Sequence, residues 1–228
     1  MKMKNFLTCD TETIGLPPEN FVYDLGYTIA NRKDVLLRRS FLVREIVTDA
    51  DKMMGAFYAK KIFSHYIPTL DAGEIKIFDW AEVVATMRAD MIAYDVSVFA
   101  AYNIKFDMTA IGATNKLLAS GKVLEYKPDL LDLWTFACGL VFNTRSYHDM
   151  AAKFGWVSEA NNVRTTAEKA YAAITGEFDF IEQHTALHDA EIETVILQRM
   201  LARKKTIPYN RIHAMPWQLA QTIRGELI

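Results

Sequence analysis

Four acidic residues of this sequence lie at the end of an apolar stretch or on the apolar face of one, where an unpaired carboxylate is costly. They are Asp10, Glu12, Asp107 and Asp189. A fold that gathers four acids in a half-buried place needs cations to hold them there. Carboxylate oxygens are ligands for hard divalent ions, and such ions commonly serve reactions at phosphate. The four acids therefore indicate a divalent metal site and phosphate chemistry.

The first two acids are two residues apart, at the end of a strand predicted over residues 4–10. Side chains at positions i and i+2 of a strand point to the same face, so Asp10 and Glu12 would lie side by side. Two carboxylates 4 Å apart repel by about 4 kcal/mol at an effective dielectric near 20, and a bound divalent ion turns this repulsion into attraction. Taken alone, the pair is explained as well by one acid that points to solvent.

The other two acids are predicted on helices. Asp107 follows a predicted strand and shares a helical face with Ile111, although a helix N-terminus favours an acid in any case. Asp189 shares the apolar face of a predicted helix with Ile192 and Ile196. A buried pairing with lysine or arginine is the alternative explanation for Asp189.

A histidine precedes the last acid by five residues. At about 100° per residue, His184 and Asp189 would not share a helical face, so His184 is predicted in the loop before the helix. A loop histidine near metal ions suits a general base that takes a proton from water. A surface histidine without a catalytic role is the simpler alternative.

A zinc site is a second interpretation of the same segment. His184 and His188 are four residues apart and would form a metal-binding pair if both lay on one helix. This interpretation requires the helix to begin before His184. It also leaves the acids at positions 10, 12 and 107 without a role.

The apolar patterns predict the elements that must position these residues. Residues 4–10, 21–30 and 35–43 predict three strands in hairpin order. Further strands are predicted at 97–102 and 128–133, and helices at 49–66, 79–93, from near 106, 146–154, 165–174 and 189–202. Hairpin strands followed by strands alternating with helices predict one mixed α/β domain with a central sheet of about five strands.

The composition is that of an ordinary globular protein. The chain has 228 residues, of which 51% are hydrophobic and 24% charged, and its net charge is −2. It lacks the strong positive charge of a protein that coats nucleic acid, but an enzyme that holds nucleic acid only in its cleft does not need it. Cys9 and Cys138 have no CxxC partner and are predicted as buried, reduced thiols. With no predicted signal peptide or membrane span, we expect a cytoplasmic protein.

The order of the motifs resembles the DEDDh 3′→5′ exonuclease family, the RNase T-like and proofreading-epsilon-like nucleases of the ribonuclease H-like fold. The matching segments are DTETIGL at 10–16, N-x-x-F-D at 103–107 and H-x-x-x-x-D at 184–189. The resemblance covers roughly residues 4–201. The sister class with a catalytic tyrosine would need that residue at position 185, where this sequence has Thr185.

The resemblance implies a role for each candidate catalytic residue. Asp10, Glu12, Asp107 and Asp189 would bind two Mg²⁺ or Mn²⁺ ions about 3.5–4 Å apart, on either side of the scissile phosphate. His184 would be the general base. The fold would be ribonuclease H-like, with the first three strands antiparallel and helices on both sides.

The resemblance also implies contacts to the substrate, the 3′ end of DNA or RNA. The backbone around Thr13 would hold the terminal nucleotide, Leu16 and Phe106 would contact its base, and Asn103 belongs to the same set. Such contacts favour ends whose bases can unstack, as in single strands. The products would be nucleoside 5′-monophosphates.

Two segments fall outside the common pattern of the family. The helix predicted at 49–66 is longer than in compact members, and the tail 203–228 carries no motif of the family. The tail would pack on, or extend, an exonuclease domain at 1–202. The stretch at 161–176 is similar in style to phage and prophage exonucleases.

The sequence therefore leaves three hypotheses of function. The first is the metal-dependent 3′→5′ exonuclease, and the second is a non-catalytic module of the same fold that binds nucleic acid or protein. The third is a zinc hydrolase that uses His184 and His188. The choice between DNA and RNA stays open, as does that between a homodimer and a replication or repair partner.

Overall fold

A computed structural model describes residues 5–56, 59–118, 127–203 and 206–221. Its strands are β1 (Asn5–Ile14), β2 (Phe21–Ala30), β3 (Val35–Val43), β4 (Ile77–Phe78), β5 (Val96–Ala101) and β6 (Asp129–Asp132). Among these residues they form one six-stranded sheet in the order β4-β3-β2-β1-β5-β6. β1, β2 and β3 are antiparallel, while β5 runs parallel to β1 and β6 parallel to β5. The predicted mixed α/β class is confirmed, with the two-residue β4 as an added edge strand.

Helices flank this sheet. They are α1 (Arg44–Val47), α2 (Ala50–Met54), α3 (Ile67–Asp71), α4 (Trp80–Ala93), α5 (Ile104–Leu118), α6 (Leu133–Ala137), α7 (Arg145–Phe154), α8 (Ala167–Thr175), α9 (Ala186–Arg203) and α10 (Trp217–Ala220). Two π-helical segments, Ile62–Tyr66 and Cys138–Phe142, lead into α3 and follow α6. Asp79 and Glu82 form a reciprocal capping box at the start of α4. Within the described ranges, no helix combines the length and apolarity that crossing a bilayer requires.

The alternation of β1 divides the core between the two faces of the sheet. Leu7 and Cys9 belong to a buried cluster that also contains side chains of α4 and α5. Phe6 belongs to a second cluster, with side chains of α7, α8 and α9. Because alternate residues of a strand share a face, Asp10 and Glu12 lie on the side of the sheet that carries α9.

The start of α9 lies directly on β2 at a glycine. A Cβ atom on Gly26 would fall 2.1 Å from the backbone nitrogen of Leu187 and 2.3 Å from the carbonyl carbon of Ala186. Gly26 pairs with Asp10 across the β1–β2 ladder. The missing side chain therefore lets the first turn of α9 reach the sheet beside the acids.

The prediction of one continuous helix over residues 49–66 is wrong, because the structure has separate helical segments there. α2 ends at Met54 with Gly55 as its C-cap, and Ala56 then forms an isolated bridge with Ile14. The next described helical residues begin at Ile62, and positions 57 and 58 of the prediction lie outside the described residues. The apolar spacing misled the prediction, because Met54 is 65% exposed and so does not belong to a buried stripe.

β1 also extends beyond its predicted end at residue 10. β2 pairs with it as far as Ile14, with a register shift between Glu12 and Thr13. Asp10 and Glu12 therefore lie inside a paired strand rather than at its end. The ladder of backbone hydrogen bonds continues past the acids, and this fixes both side chains more firmly than a strand end would.

The described part of the tail contacts the rest of the chain. The backbone of Asn210 donates to the carbonyl of Leu130 over 2.7 Å, and its side-chain oxygen accepts from the Leu130 amide. The His148 Nε2 atom lies 2.8 Å from the carbonyl of Ala220. Residues 206–221 thus pack along β6 and α7.

We expect Gly26→Ala to destabilise the protein, because the new methyl group meets backbone atoms that cannot rotate away. Overpacking in a core costs about 1–3 kcal/mol, and a clash with backbone falls at the upper end. Urea denaturation would measure the loss. Gly112→Ala in α5 is the matched control: its Cβ meets nothing within 4 Å, and alanine favours a helix. An equal stability of the two variants would contradict the close approach of α9 to β2.

Candidate active site

Three of the four predicted acids meet at one point. Asp10 and Glu12 come from β1, and Asp189 comes from the first turn of α9, which the close contact at Gly26 brings onto the sheet. Each of the three offers a carboxylate oxygen, and these oxygens lie within 4.8 Å of one another. We call these three residues the acid triad. Their separation is short enough for one cation to contact all three.

The triad fits a divalent cation for a second reason. The Oδ1 atom of Asp189 is buried and accepts no hydrogen bond from the described residues. An unpaired carboxylate oxygen in the interior is unfavourable, because it has lost its water and gained no donor. The donor set is entirely oxygen, which suits Mg²⁺ or Mn²⁺ better than zinc.

The electrostatics of the triad show how unfavourable it is without a cation. Burial, followed by the charge of Asp189, raises the pKa of Glu12 to about 8. Burial, followed by the charge of Glu182, raises the pKa of Asp189 to about 8. Burial and the nearby charge of Asp107 raise the pKa of Asp10 well above its usual range. The metal-free triad therefore holds protons at neutral pH.

Asp107, the fourth predicted acid, lies next to the triad but outside it. It is 2% exposed, in the first turn of α5, and its Oδ1 atom accepts a 2.8 Å hydrogen bond from the Thr11 hydroxyl. Burial raises its pKa to about 7, and its charge acts in turn on Asp10. The start of α5 is fixed from β6, because Asp132 accepts a hydrogen bond from the amide of Ile104.

His184 lies at the mouth of the cleft, in the loop before α9, as the sequence predicts. Its backbone is left-handed, with φ of 54°, and its side chain is 36% exposed. The Nδ1 atom is 3.8 Å from a carboxylate oxygen of Glu182 and 4.0 Å from one of Asp189. Burial, followed by the charge of Lys61, lowers the pKa of His184, so the neutral ring dominates at pH 7.

The arrangement that the zinc interpretation requires is absent. α9 begins at Ala186, so His184 and His188 do not share a helix. The Nε2 atom of His188 is buried, and the ring lies 6.2 Å from the ring of Phe180. His188 is not one of the residues that line the cleft of the triad.

The four residues predicted to contact the substrate lie in two places beside the acids. Thr13 and Leu16 are near the end of β1, and Asn103 and Phe106 are near the start of α5. Thr13 directly follows Glu12 at the register shift of β1, and Leu16 is 82% exposed in the next turn. Asn103 is exposed and left-handed, with φ of 65°, and Phe106 is partly buried in the first turn of α5. None of the four lines the cleft itself.

Sequence reasoning missed two acids of the cleft. Glu193 is 2% exposed and accepts a hydrogen bond from the amide of Tyr102, and burial raises its pKa well above the usual range. Burial, followed by the charge of Glu168, raises the pKa of Glu182 to about 7. The position of Glu193, four residues after Asp189 on the same helical face, was a readable signal. Glu182 lies in a loop, where no periodic pattern in the sequence could have indicated it.

An aromatic wall completes the cleft, which has a volume of about 370 Å³. The rings of Tyr102 and Trp134 are stacked at 6.5 Å, and both residues line the cleft. Thr165 fixes both, because it accepts hydrogen bonds from the Tyr102 hydroxyl and the Trp134 indole. The cleft thus joins an acidic end to an apolar ring surface.

Comparisons of sequence find no relative. No family model matches this chain, and no curated protein matches it. Similarity to known proteins is therefore found only by comparing the fold with solved structures.

A comparison with solved structures matches this chain to three of them, with different TM-scores. A crystal structure of exonuclease I with the inhibitor BCBP has a TM-score of 0.59 and 16% identity, and the match covers 90% of this chain and 42% of that one. Exonuclease X in complex with 5′ overhanging duplex DNA has a TM-score of 0.47 and 14% identity. That match covers 88% of this chain and 93% of that one. The HK97 bacteriophage large terminase has a TM-score of 0.32 and 13% identity, covering 76% and 33%.

The likeness to exonuclease I is the one that bears on the fold. This chain spans less than half the length of that protein. Over most of its own length, it has the same mixed α/β architecture, and this confirms the ribonuclease H-like fold class that the sequence predicts.

Proposed function

We propose that this protein is a metal-dependent 3′→5′ exonuclease. It would hydrolyse phosphodiester bonds at single-stranded ends of DNA or RNA and release nucleoside 5′-monophosphates. The observation that carries the proposal is the acid triad with His184 at the mouth of the same cleft. The fold shared with exonuclease I supports it.

The chemistry of the cleft supports a hydrolase more than a passive binding module. A binding module has no use for a group of buried acids whose charges repel one another, since their protonation and repulsion weaken the fold. Asp10, Glu12 and Asp189 would hold divalent ions, with Asp107 as a further ligand from α5. Bound divalent ions would supply the positive charge that activates water and stabilises the leaving oxygen.

His184 would act as the general base. Its lowered pKa keeps the ring neutral and able to accept a proton at pH 7. Its place before α9, with the side chain partly exposed, lets the ring meet a water at the mouth of the cleft. Glu182 and Asp189, both close to Nδ1, would stabilise the ring once it carries the proton.

The terminal nucleotide would lie between the end of β1 and the start of α5. The exposed side chain of Leu16 supports a contact to the base, as does the partly exposed ring of Phe106. Thr13 would hold the nucleotide through its backbone, and Asn103 would contact it from the turn before α5. Bases that stack on an aromatic wall must be free of a partner strand, which favours single-stranded ends.

A digestion experiment tests the proposed function. Labelled single- and double-stranded DNA and RNA would be incubated with Mg²⁺ or Mn²⁺, with the label at either end. We expect shortening from the 3′ end and release of 5′-monophosphates. Asp10→Asn and Asp189→Asn should each abolish it, because each removes a charge that holds the ions, while Asp51→Asn on the exposed surface should not.

Two outcomes would contradict the proposal. Parental activity in Asp10→Asn or Asp189→Asn would remove the triad from the reaction. Tight binding of oligonucleotides without hydrolysis under any metal would favour the non-catalytic module. Circular dichroism of each variant would show that the fold is intact.

The two histidines separate the exonuclease from the zinc hydrolase. His184→Ala should lower kcat by about 10²- to 10⁴-fold, the usual contribution of a general base. His188→Ala should leave kcat within a few-fold of the parent, because His188 does not line the cleft and its ring lies beside Phe180. Stoichiometric zinc in the purified protein, together with loss of activity in His188→Ala, would support the zinc hydrolase instead.

The metal-free protein should become less stable as the pH rises. Glu12 and Asp189 have pKa values of about 8 when folded, while free carboxyl groups titrate near about pH 4. The folded protein therefore retains protons that the unfolded chain has lost. The free energy of unfolding should then fall between about pH 4 and about pH 8, which are the unfolded and folded pKa values.

Thermal unfolding at several pH values, with EDTA or with Mg²⁺, would measure this effect. Mg²⁺ should raise Tm more at pH 8 than at pH 5.5, because ions compete with protons for the same oxygens. Glu12→Gln removes one titrating group and should flatten the decline. A decline of equal slope in Glu12→Gln would mean that Glu12 does not contribute to it.

A further inference from the structure

Lys61 is hydrogen-bonded to the peptide groups on both sides of His184. Its Nζ atom donates hydrogen bonds to the carbonyl oxygens of Gln183 and His184. Lys61 comes from the segment between α2 and α3, more than 120 residues away in sequence. Such a contact ties the loop before α9 to a segment that is distant in sequence.

The loop needs such a fixing contact because its conformation is unfavourable by itself. His184 adopts a left-handed backbone, with φ of 54°, which non-glycine residues adopt rarely. Such a backbone persists only when surrounding contacts determine it. The His184 carbonyl, one of the two groups that Lys61 binds, belongs to this left-handed residue.

The same segment fixes the other side of the turn. The Tyr66 hydroxyl donates to Oδ2 of Asp24 over 2.8 Å, and the same oxygen accepts from the amide of Ala186 over 3.1 Å. Lys61 and Tyr66 therefore act on the residues before and after Thr185, one directly and one through Asp24.

Lys61 also lies close to several acids of the site. The ammonium group is half-buried and lies close enough to Glu12, Asp189, Asp24 and Glu182 for their charges to act on it. The acids of the cleft therefore lie within electrostatic range of the lysine. An ammonium group on a long flexible stem needs such a set of partners to stay in one place.

We infer that Lys61 is a positioning residue that holds the His184 turn in its left-handed conformation and so directs the imidazole toward the acid triad. The inference rests on the proposed function, in which His184 takes a proton from water. Lys61 itself need not touch the substrate. Its effect on rate would arise from orientation, since a base displaced by about 1 Å can lose up to about 10²-fold in rate.

Three variants test this role. Lys61→Met keeps the length of the side chain and removes the donors, and Lys61→Arg restores donors on a similar stem. Lys60→Met is the matched control, because Lys60 is the exposed neighbour in the same segment. We expect Lys61→Met to lower kcat by about tenfold or more with KM little changed, Lys61→Arg to recover part of the loss, and Lys60→Met to match the parent.

Hydrogen exchange provides a readout that needs no activity. In Lys61→Met, the amides of residues 184–187 should exchange faster than in the parent, while those of β1 should not. Lys61→Gln provides a second variant if the methionine form is unstable, and Tm would monitor both. If the parent shows no nuclease activity, the proposed function fails, and the exchange rates still decide whether Lys61 holds the turn.

Two results would overturn the inference. A raised KM with unchanged kcat in Lys61→Met would mean that the ammonium contacts the substrate. Unchanged kcat together with unchanged exchange at residues 184–187 would mean that the turn keeps its conformation without Lys61.

Discussion

The repulsion among buried carboxylates is the constraint on which the cleft depends. Asp10, Glu12 and Asp189 bring their oxygens within 4.8 Å of one another, and burial adds to the cost of their charges. A protein can accept such an arrangement in two ways: the acids keep their protons, or cations bind between them. The first state lasts only while the pH is low enough. The second makes the site useful for chemistry at phosphate.

The rest of the fold holds these acids together against their repulsion. The β1–β2 ladder runs past Asp10 and Glu12, and Gly26 lets the first turn of α9 lie on the sheet beside them. The hydrogen bond from Thr11 fixes Asp107 on the side of α5. The acids thus come from three rigid elements, and a site built on such elements keeps its geometry better than one built on loops.

The histidine is held differently. His184 lies outside α9, in a left-handed turn whose conformation depends on contacts from residues far away in sequence. The carboxylates are thus held by the sheet and by helices, whereas the backbone at His184 is bonded to Lys61 from a distant segment. Partial exposure of the ring is consistent with a group that must meet water and then release a proton.

The sequence by itself determined the chemical groups, their order and the fold class. The i, i+2 spacing placed Asp10 and Glu12 on one face, and the helical periodicity placed Asp189 on a buried face, because both depend only on local geometry. Only the tertiary structure decided that Asp107 bonds to Thr11 rather than joining the triad. It alone placed Lys61 on the His184 turn, since contacts across more than 120 residues of sequence leave no local pattern.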